Sequence, residues 1–263
     1  MKVRTRADET PCFWQWPNVL GIDAALIAVS WYWLLLPSET IFPTIPALVL
    51  ALSVWLTYLA DRLFDVRGKE PVELRSLRHR FVARHKNTLW TFWWFLLLIN
   101  LSLALKGLSE AQLMRGLILL LVTLVYTFGV QKIKPALFQK ELLVGLIFSA
   151  GVLIFLKDPP QWLLPPTLVF LFTGNCLLVT EFDPPNKNNR RQTTCRLPNP
   201  TLAMIGIAAL LAALCLPVAL SAVILLLGIY SFRHILGSET GRILADASLL
   251  VPPLLSLIWR WGF

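Results

Sequence analysis

Apolar stretches about 15 to 22 residues long recur from one end of this chain to the other, each set off by polar or proline-rich residues, and that spacing leaves few folds open. The runs lie at about 19–36, 42–63, 88–105, 113–130, 142–156, 162–180, 201–216, 218–232 and 243–261, most of them near the roughly 20 residues that a helix needs to cross a bilayer. With 56% hydrophobic residues, 11 tryptophans and a mean hydropathy of +0.66, the chain carries more apolar surface than a soluble core can absorb. In hydrocarbon an unpaired backbone group is too costly, so the runs must be helices; a barrel would alternate polar and apolar residues instead. The reading is an all-α integral membrane protein with nine transmembrane helices, one domain over 1–263 with a short cytoplasmic segment at 1–18.

Charge then orients the chain. If the amino terminus is inside and nine segments cross, the inside regions hold Lys2, Arg4, Arg6, Arg62, Arg67, Lys69, Arg75, Arg78, Arg80, Arg84, Lys86, Lys132, Lys134, Lys140, Lys187, Arg190, Arg191, Arg196, Arg233 and Arg242. The outside regions keep Lys106, Arg115, Lys157 and Arg260. This asymmetry obeys the positive-inside rule, so the net charge of +9 is mostly a topology signal and not a nucleic-acid signature. Anionic lipid headgroups are the expected partners of the basic loops. The uncharged stretch 202–232 is divided at Leu216-Pro217, because proline starts a helix better than it continues one. A single long helix there would leave eight crossings and move Arg233 and Arg242 outside. No cleavable signal peptide is expected, since the first dozen residues are polar and Asp23 interrupts the first run. The carboxyl terminus is then outside, and the cell inner membrane is the expected location.

Metal and nucleotide chemistries of the common soluble kinds find little to stand on. Cys12, Cys176, Cys195 and Cys215 are scattered, and His79, His85 and His234 form no ligand pattern. No glycine-rich nucleotide loop occurs. Trp14, Trp16, Trp162, Trp259 and Trp261, near the ends of the runs, read as an interfacial belt.

Polar chemistry concentrates at the inner ends of two runs. Thr57-Tyr-Leu-Ala-Asp-Arg-Leu-Phe-Asp65 closes the second run with Asp61 and Asp65, four residues apart. On a helix that spacing stacks both carboxylates on one face, Cβ atoms roughly 6 Å apart, near enough to share a divalent cation. The sixth run ends in Asn175-Cys-Leu-Leu-Val-Thr-Glu-Phe-Asp183 and a basic loop, with Asn175, Val179 and Asp183 on one face and Glu181 turned away. Each piece also has a structural reading. Asp61 and Asp65 beside Arg62 and Arg67 suit salt bridges at a helix end. The cluster from Leu74 to Lys86 suits an amphipathic helix on the lipid surface, and Asn175 suits an interhelical hydrogen bond. Asp246 needs a partner or a wet cavity, with Arg242 one turn away as the simplest partner; the alternative is that Asp246 and Asp23 line one polar mouth.

The chain resembles the UbiA superfamily of intramembrane prenyltransferases. The resemblance rests on nine helices with an inside amino terminus, the aspartates ending the second run, the polar motif ending the sixth, Tyr126 with Lys132 and Lys134 after the fourth, and Gly145-Leu-Ile-Phe-Ser-Ala-Gly151 in the fifth. The superfamily's first motif is Asn-Asp-x-x-Asp-x-x-x-Asp, whose last two aspartates fall on Asp61 and Asp65, while Thr57 and Tyr58 occupy the Asn-Asp positions. What the resemblance implies is a helical bundle around an apolar cavity, Mg²⁺ as cofactor, a prenyl diphosphate donor and a lipophilic acceptor. Asp61, Asp65 and Asp183 then become catalytic. Asp61 and Asp65 hold one magnesium ion, Asn175 and Asp183 a weaker second. Arg62, Arg67, Tyr126, Lys132, Lys134 and Asn175 bind substrate. Three competitors remain: a non-catalytic relative that binds an isoprenoid lipid or acts as a scaffold, a transporter using Asp23 and Asp246, and, lowest, a lipid phosphotransferase whose Asp-Gly and Ala-Arg signature is missing.

Overall fold

Each of the nine apolar runs carries helix in the computed structural model, which describes residues 11–37, 41–74, 76–133, 137–156, 161–182 and 199–262; among them no strand occurs. The helices are α1 (Trp16–Leu20), α2 (Ile22–Leu34), α3 (Thr44–Asp65), α4 (Leu77–Arg84), α5 (Lys86–Gly107), α6 (Glu110–Ile133), α7 (Leu137–Leu153), α8 (Leu164–Glu181), α9 (Pro200–Cys215), α10 (Leu220–Ser231), α11 (Ser238–Ser248) and α12 (Val251–Gly262). Five stretches are long and apolar enough to cross a membrane: Thr44–Asp65, Lys86–Gly107, Glu110–Thr127, Leu164–Glu181 and Ser238–Arg260. The protein is therefore all-helical, with the composition and helix lengths of a membrane protein.

Breaks between helices follow local chemistry. The first run divides at Gly21, whose φ of +73° lies in the left-handed region that glycine adopts without penalty; it ends α1 and its N–H returns to the Asn18 carbonyl at 3.2 Å. The division at Leu216-Pro217 falls where the proline predicts, with α9 ending at Cys215 and Pro217 opening a 3-10 turn before α10. The ninth run, expected to be continuous, is broken between α11 and α12. Pro252 and Pro253 have no N–H to return to Ser248 and Leu249, so the backbone ladder stops there and resumes with the 3.1 Å bond from Leu254 N–H to Leu250. The Leu249 carbonyl left without its helical donor accepts from the Trp31 indole Nε1 at 2.8 Å.

The chain clusters into two compact units, one drawn from Met1–Val29 and Ile41–Leu113, the other from Ser30–Thr40 and Met114–Phe263. In the first, α3 and α5 pack along their lengths, tied by Trp93 Nε1 to the Leu56 carbonyl at 2.8 Å and Asn100 Nδ2 to Ser53 Oγ at 2.9 Å. Leu59, Leu63, Val66 and Val82 form its core, against Trp55, Phe81, Trp90 and Trp93. That core corrects the expectation of an amphipathic surface helix at 74–86. Only Leu77–Arg84 forms α4, Val82 is drawn into the core, Arg80 is 5% exposed, and Lys86 already begins α5.

In the second unit α8 is the central element, packed on α7, α9, α10 and α11. The approach of α7 is close because Gly145 has no side chain: a methyl there would lie 3.0 Å from the Val169 carbonyl oxygen and meet Thr173. Leu168, Leu171, Leu178, Ile205, Ala208 and Leu226 are wholly buried around it.

Candidate functional site

The last turn of α3 brings Asp61 and Asp65 to one end of an apolar helix whose Leu56, Leu59 and Leu63 are buried. Both carboxylates are half-buried. Lys69 donates to the Asp65 carbonyl at 2.6 Å, so a cation closes the negative end of the helix. Arg67 is exposed beside them. His79 Nε2 stands 3.7 Å from Asp65 Oδ2. His79, which forms no ligand pattern in the sequence, is placed by the Ser76-x-x-His79 spacing: Ser76 caps α4, and its Oγ lies 2.6 Å from His79 Nδ1.

Arg62 faces the other way from these groups' solvent side and is 4% exposed. Its Nη1 donates to the carbonyls of Asn18 at 2.9 Å and Val19 at 3.0 Å, and its guanidinium stacks on the Tyr58 ring, 4.7 Å to the centroid. Trp55 Nε1 reaches the next carbonyl, Leu20, at 3.0 Å. Two α3 side chains thus bring donors to three carbonyls around the Gly21 turn at the end of α1, of which Asn18 also accepts the Gly21 N–H. Asp23, considered above as a carrier, caps the start of α2, accepting from Asn18 Nδ2 at 2.6 Å and from the Ala24 N–H at 2.9 Å.

In the second unit Asn175 is 5% exposed on α8 and donates from Nδ2 to Asp246 Oδ1 at 3.1 Å. Asp246 has the partner that an ionisable residue in an apolar run requires. A carboxylate oxygen only accepts, which fixes the amide so that Oδ1 faces elsewhere; that oxygen is buried with no hydrogen-bond partner among the described residues. Arg242, 1% exposed, sends Nη2 to the Phe182 carbonyl at 3.3 Å and Nη1 to Glu239 Oε1 at 3.5 Å. Glu181 turns from Asn175, as its helical position predicts, and binds Thr201 Oγ1 at 2.6 Å and Arg233 Nε at 3.4 Å.

Tyr126 lies half-buried on α6. Asp183 and Lys134 fall outside the described residues, as does the side chain of Lys132. Among the described residues no three His, Cys, Asp or Glu side chains gather as a metal cage. Two carboxylates one turn apart are the donor set that Mg²⁺ takes when substrate phosphate and water complete its shell. No protein-family model matches the chain, and neither a curated protein nor a solved structure matches it significantly.

Proposed function

We propose that the protein is a nine-crossing integral membrane protein of the UbiA type, amino terminus cytoplasmic, that transfers an isoprenyl group from a prenyl diphosphate to a lipophilic acceptor with Mg²⁺. The observation that carries this reading is the pair Asp61 and Asp65 closing an apolar, membrane-length helix. Hard carboxylate oxygens at that depth suit a divalent cation and a diphosphate, while the apolar helix suits the prenyl tail. Mg²⁺ held there would supply stabilisation of the charge that grows on the departing diphosphate. Asp61 and Asp65 would orient that headgroup, the exposed Arg67 would add a bidentate contact, and apolar walls would keep water from the allylic carbon. Arg62 is taken up by the α1 carbonyls, so diphosphate contacts fall to Arg67, Lys132 and Lys134.

A second reading, a non-catalytic relative that binds an isoprenoid lipid or acts as a scaffold, draws support from Thr57 and Tyr58, which stand where the superfamily's first motif has Asn and Asp and so leave that motif two ligands short. One experiment separates the two. Tritiated geranylgeranyl diphosphate is added to the protein in nanodiscs made from total bacterial lipid, and organic-extractable label and free diphosphate are measured together. Transfer predicts equal amounts of both, lost in Asp61→Asn; binding without either product favours the lipid-binding relative.

A further inference from the structure

The end of α8, the start of α9 and the end of α10 meet, within the second unit, in a group of polar side chains that prenyl transfer does not use. Asn199, the cap of α9, accepts the Thr201 N–H on Oδ1 at 3.0 Å, which fixes its amide so that Nδ2 donates to the Tyr230 hydroxyl oxygen at 2.7 Å. The Tyr230 side chain is deeply buried, and its own hydroxyl proton has no acceptor among the described residues. Arg233 lies over the Tyr230 ring, its guanidinium carbon 3.9 Å from the centroid. Nη1 donates to the Tyr230 carbonyl at 2.8 Å and Nε faces Glu181 Oε2 at 3.4 Å, while Nη2 makes no hydrogen bond to a described residue. Glu181 ends a helix long enough to cross a membrane, so its pairing sets the Arg233 guanidinium at the level where that helix leaves the bilayer. In the same turn, flanking Arg233, Phe232 is 62% and Ile235 82% exposed. Apolar side chains bared beside a cation at that depth meet acyl chains and headgroup together.

We propose that this turn is a phospholipid site: phosphodiester oxygens accept from Arg233 Nη2 and from the Tyr230 hydroxyl, and Phe232 and Ile235 lie against the acyl chains. The ring stack and the Tyr230 carbonyl hold the guanidinium in place before the lipid arrives, so little side-chain freedom is lost on binding. Glu181 opposes the phosphate in part, and both its oxygens are engaged, Oε1 by the Thr201 hydroxyl at 2.6 Å and Oε2 by Arg233. A bilayer supplies this ligand, and the inference stands apart from the reading of Asp61 and Asp65.

Its test is a photoreactive phosphatidylglycerol, with a diazirine at the start of one acyl chain, cross-linked to the purified full chain in mixed micelles and mapped by peptide mass, with melting temperature recorded for every variant. Labelling of the peptides that carry Phe232 and Ile235 is expected to saturate, whereas a diacylglycerol probe without phosphate is expected to label them weakly and without saturation. Arg233→Gln is expected to raise the half-saturation of the first probe by about tenfold at an unchanged melting temperature, and Tyr230→Phe by less. Glu181→Gln, which keeps an acceptor for Nε and removes the opposing charge, is expected to lower it. Wild-type half-saturation in Arg233→Gln, or equal labelling by the two probes, overturns the proposal in favour of ordinary boundary lipid. Displacement of the label by inorganic phosphate overturns it in favour of a free anion. If Arg233→Gln does not fold, unchanged half-saturation in both Tyr230→Phe and Glu181→Gln overturns it.

Discussion

Arg62 and Asp61 are adjacent in sequence, yet burial gives them different work. A guanidinium 4% exposed needs partners for its donors, and the Asn18 and Val19 carbonyls engage its Nη1 while the ring of Tyr58 lies against its face. Arg62→Leu should therefore destabilise the protein by about 1–3 kcal/mol, from the Val19 carbonyl that loses this donor while the Asn18 carbonyl keeps the Gly21 N–H, read as loss of denaturation midpoint in detergent. The folded fraction should bind prenyl diphosphate as tightly as wild type; selective loss of diphosphate affinity without loss of stability would return Arg62 to the substrate-binding set. The carboxylate pair was legible in the sequence because helical spacing alone decides that Asp61 and Asp65 share a face. Arg62's role was not, because it depends on carbonyls 43 and 44 residues away, presented at a turn made by a left-handed glycine. Asn175 and Asp246 show the same limit: each was recognisable as a polar residue needing a partner, and their 71-residue separation hid that they serve each other.

Helix ends in this protein are closed by side chains from other helices. Arg62 serves α1, Arg242 reaches the Phe182 carbonyl just past α8, and Arg260 serves the end of α2 through the carbonyls of Leu34 at 3.0 Å and Leu36 at 2.7 Å. Arg115 reaches the Leu156 carbonyl at 3.3 Å, beyond α7. In an apolar surrounding an open carbonyl is costly, and a cation also suits the negative end of a helix. Arg115 and Arg260, two of the cations that the charge count assigns to the outer side, each have a structural task of this kind. Trp31 performs the same service at the proline break, where sequence shows the missing N–H groups of Pro252 and Pro253 but not the donor that answers them. Trp31→Phe should cost about 1–3 kcal/mol by orphaning the Leu249 carbonyl. In a Pro253→Ala background, which restores a backbone N–H to that carbonyl, the cost should shrink; a double-mutant cycle of denaturation midpoints with no coupling would contradict the assignment. Gly145→Ala should lower stability by about 1–3 kcal/mol through collision with Thr173 and the Val169 carbonyl, measured the same way.

For the whole molecule, hydropathy alone locates all nine helical runs, since a bilayer-length apolar segment has one way to satisfy its backbone. It misses the Gly21 turn and the division between α11 and α12, because one turns on a single glycine and the other on the pair Pro252 and Pro253, which leave the runs apolar on average. Nine crossings with an inside amino terminus predict that cysteines replacing Lys69 and Arg191 in a cysteine-free chain react with a membrane-impermeant maleimide only from the cytoplasmic side, and one replacing Lys106 only from the other; labelling of Lys69→Cys and Lys106→Cys from the same side would contradict that topology. The central claim, a cation-dependent diphosphate site at the end of α3, is met most directly by calorimetric titration of geranyl, farnesyl and geranylgeranyl diphosphate into the wild-type protein, Asp61→Asn and Asp65→Asn, with and without Mg²⁺. The account predicts binding in wild type that requires Mg²⁺ and falls at least about 100-fold in either variant, a loss of about 2.7 kcal/mol. Binding of equal strength without Mg²⁺, or in both variants, or no binding of any donor to well-folded protein, would contradict it.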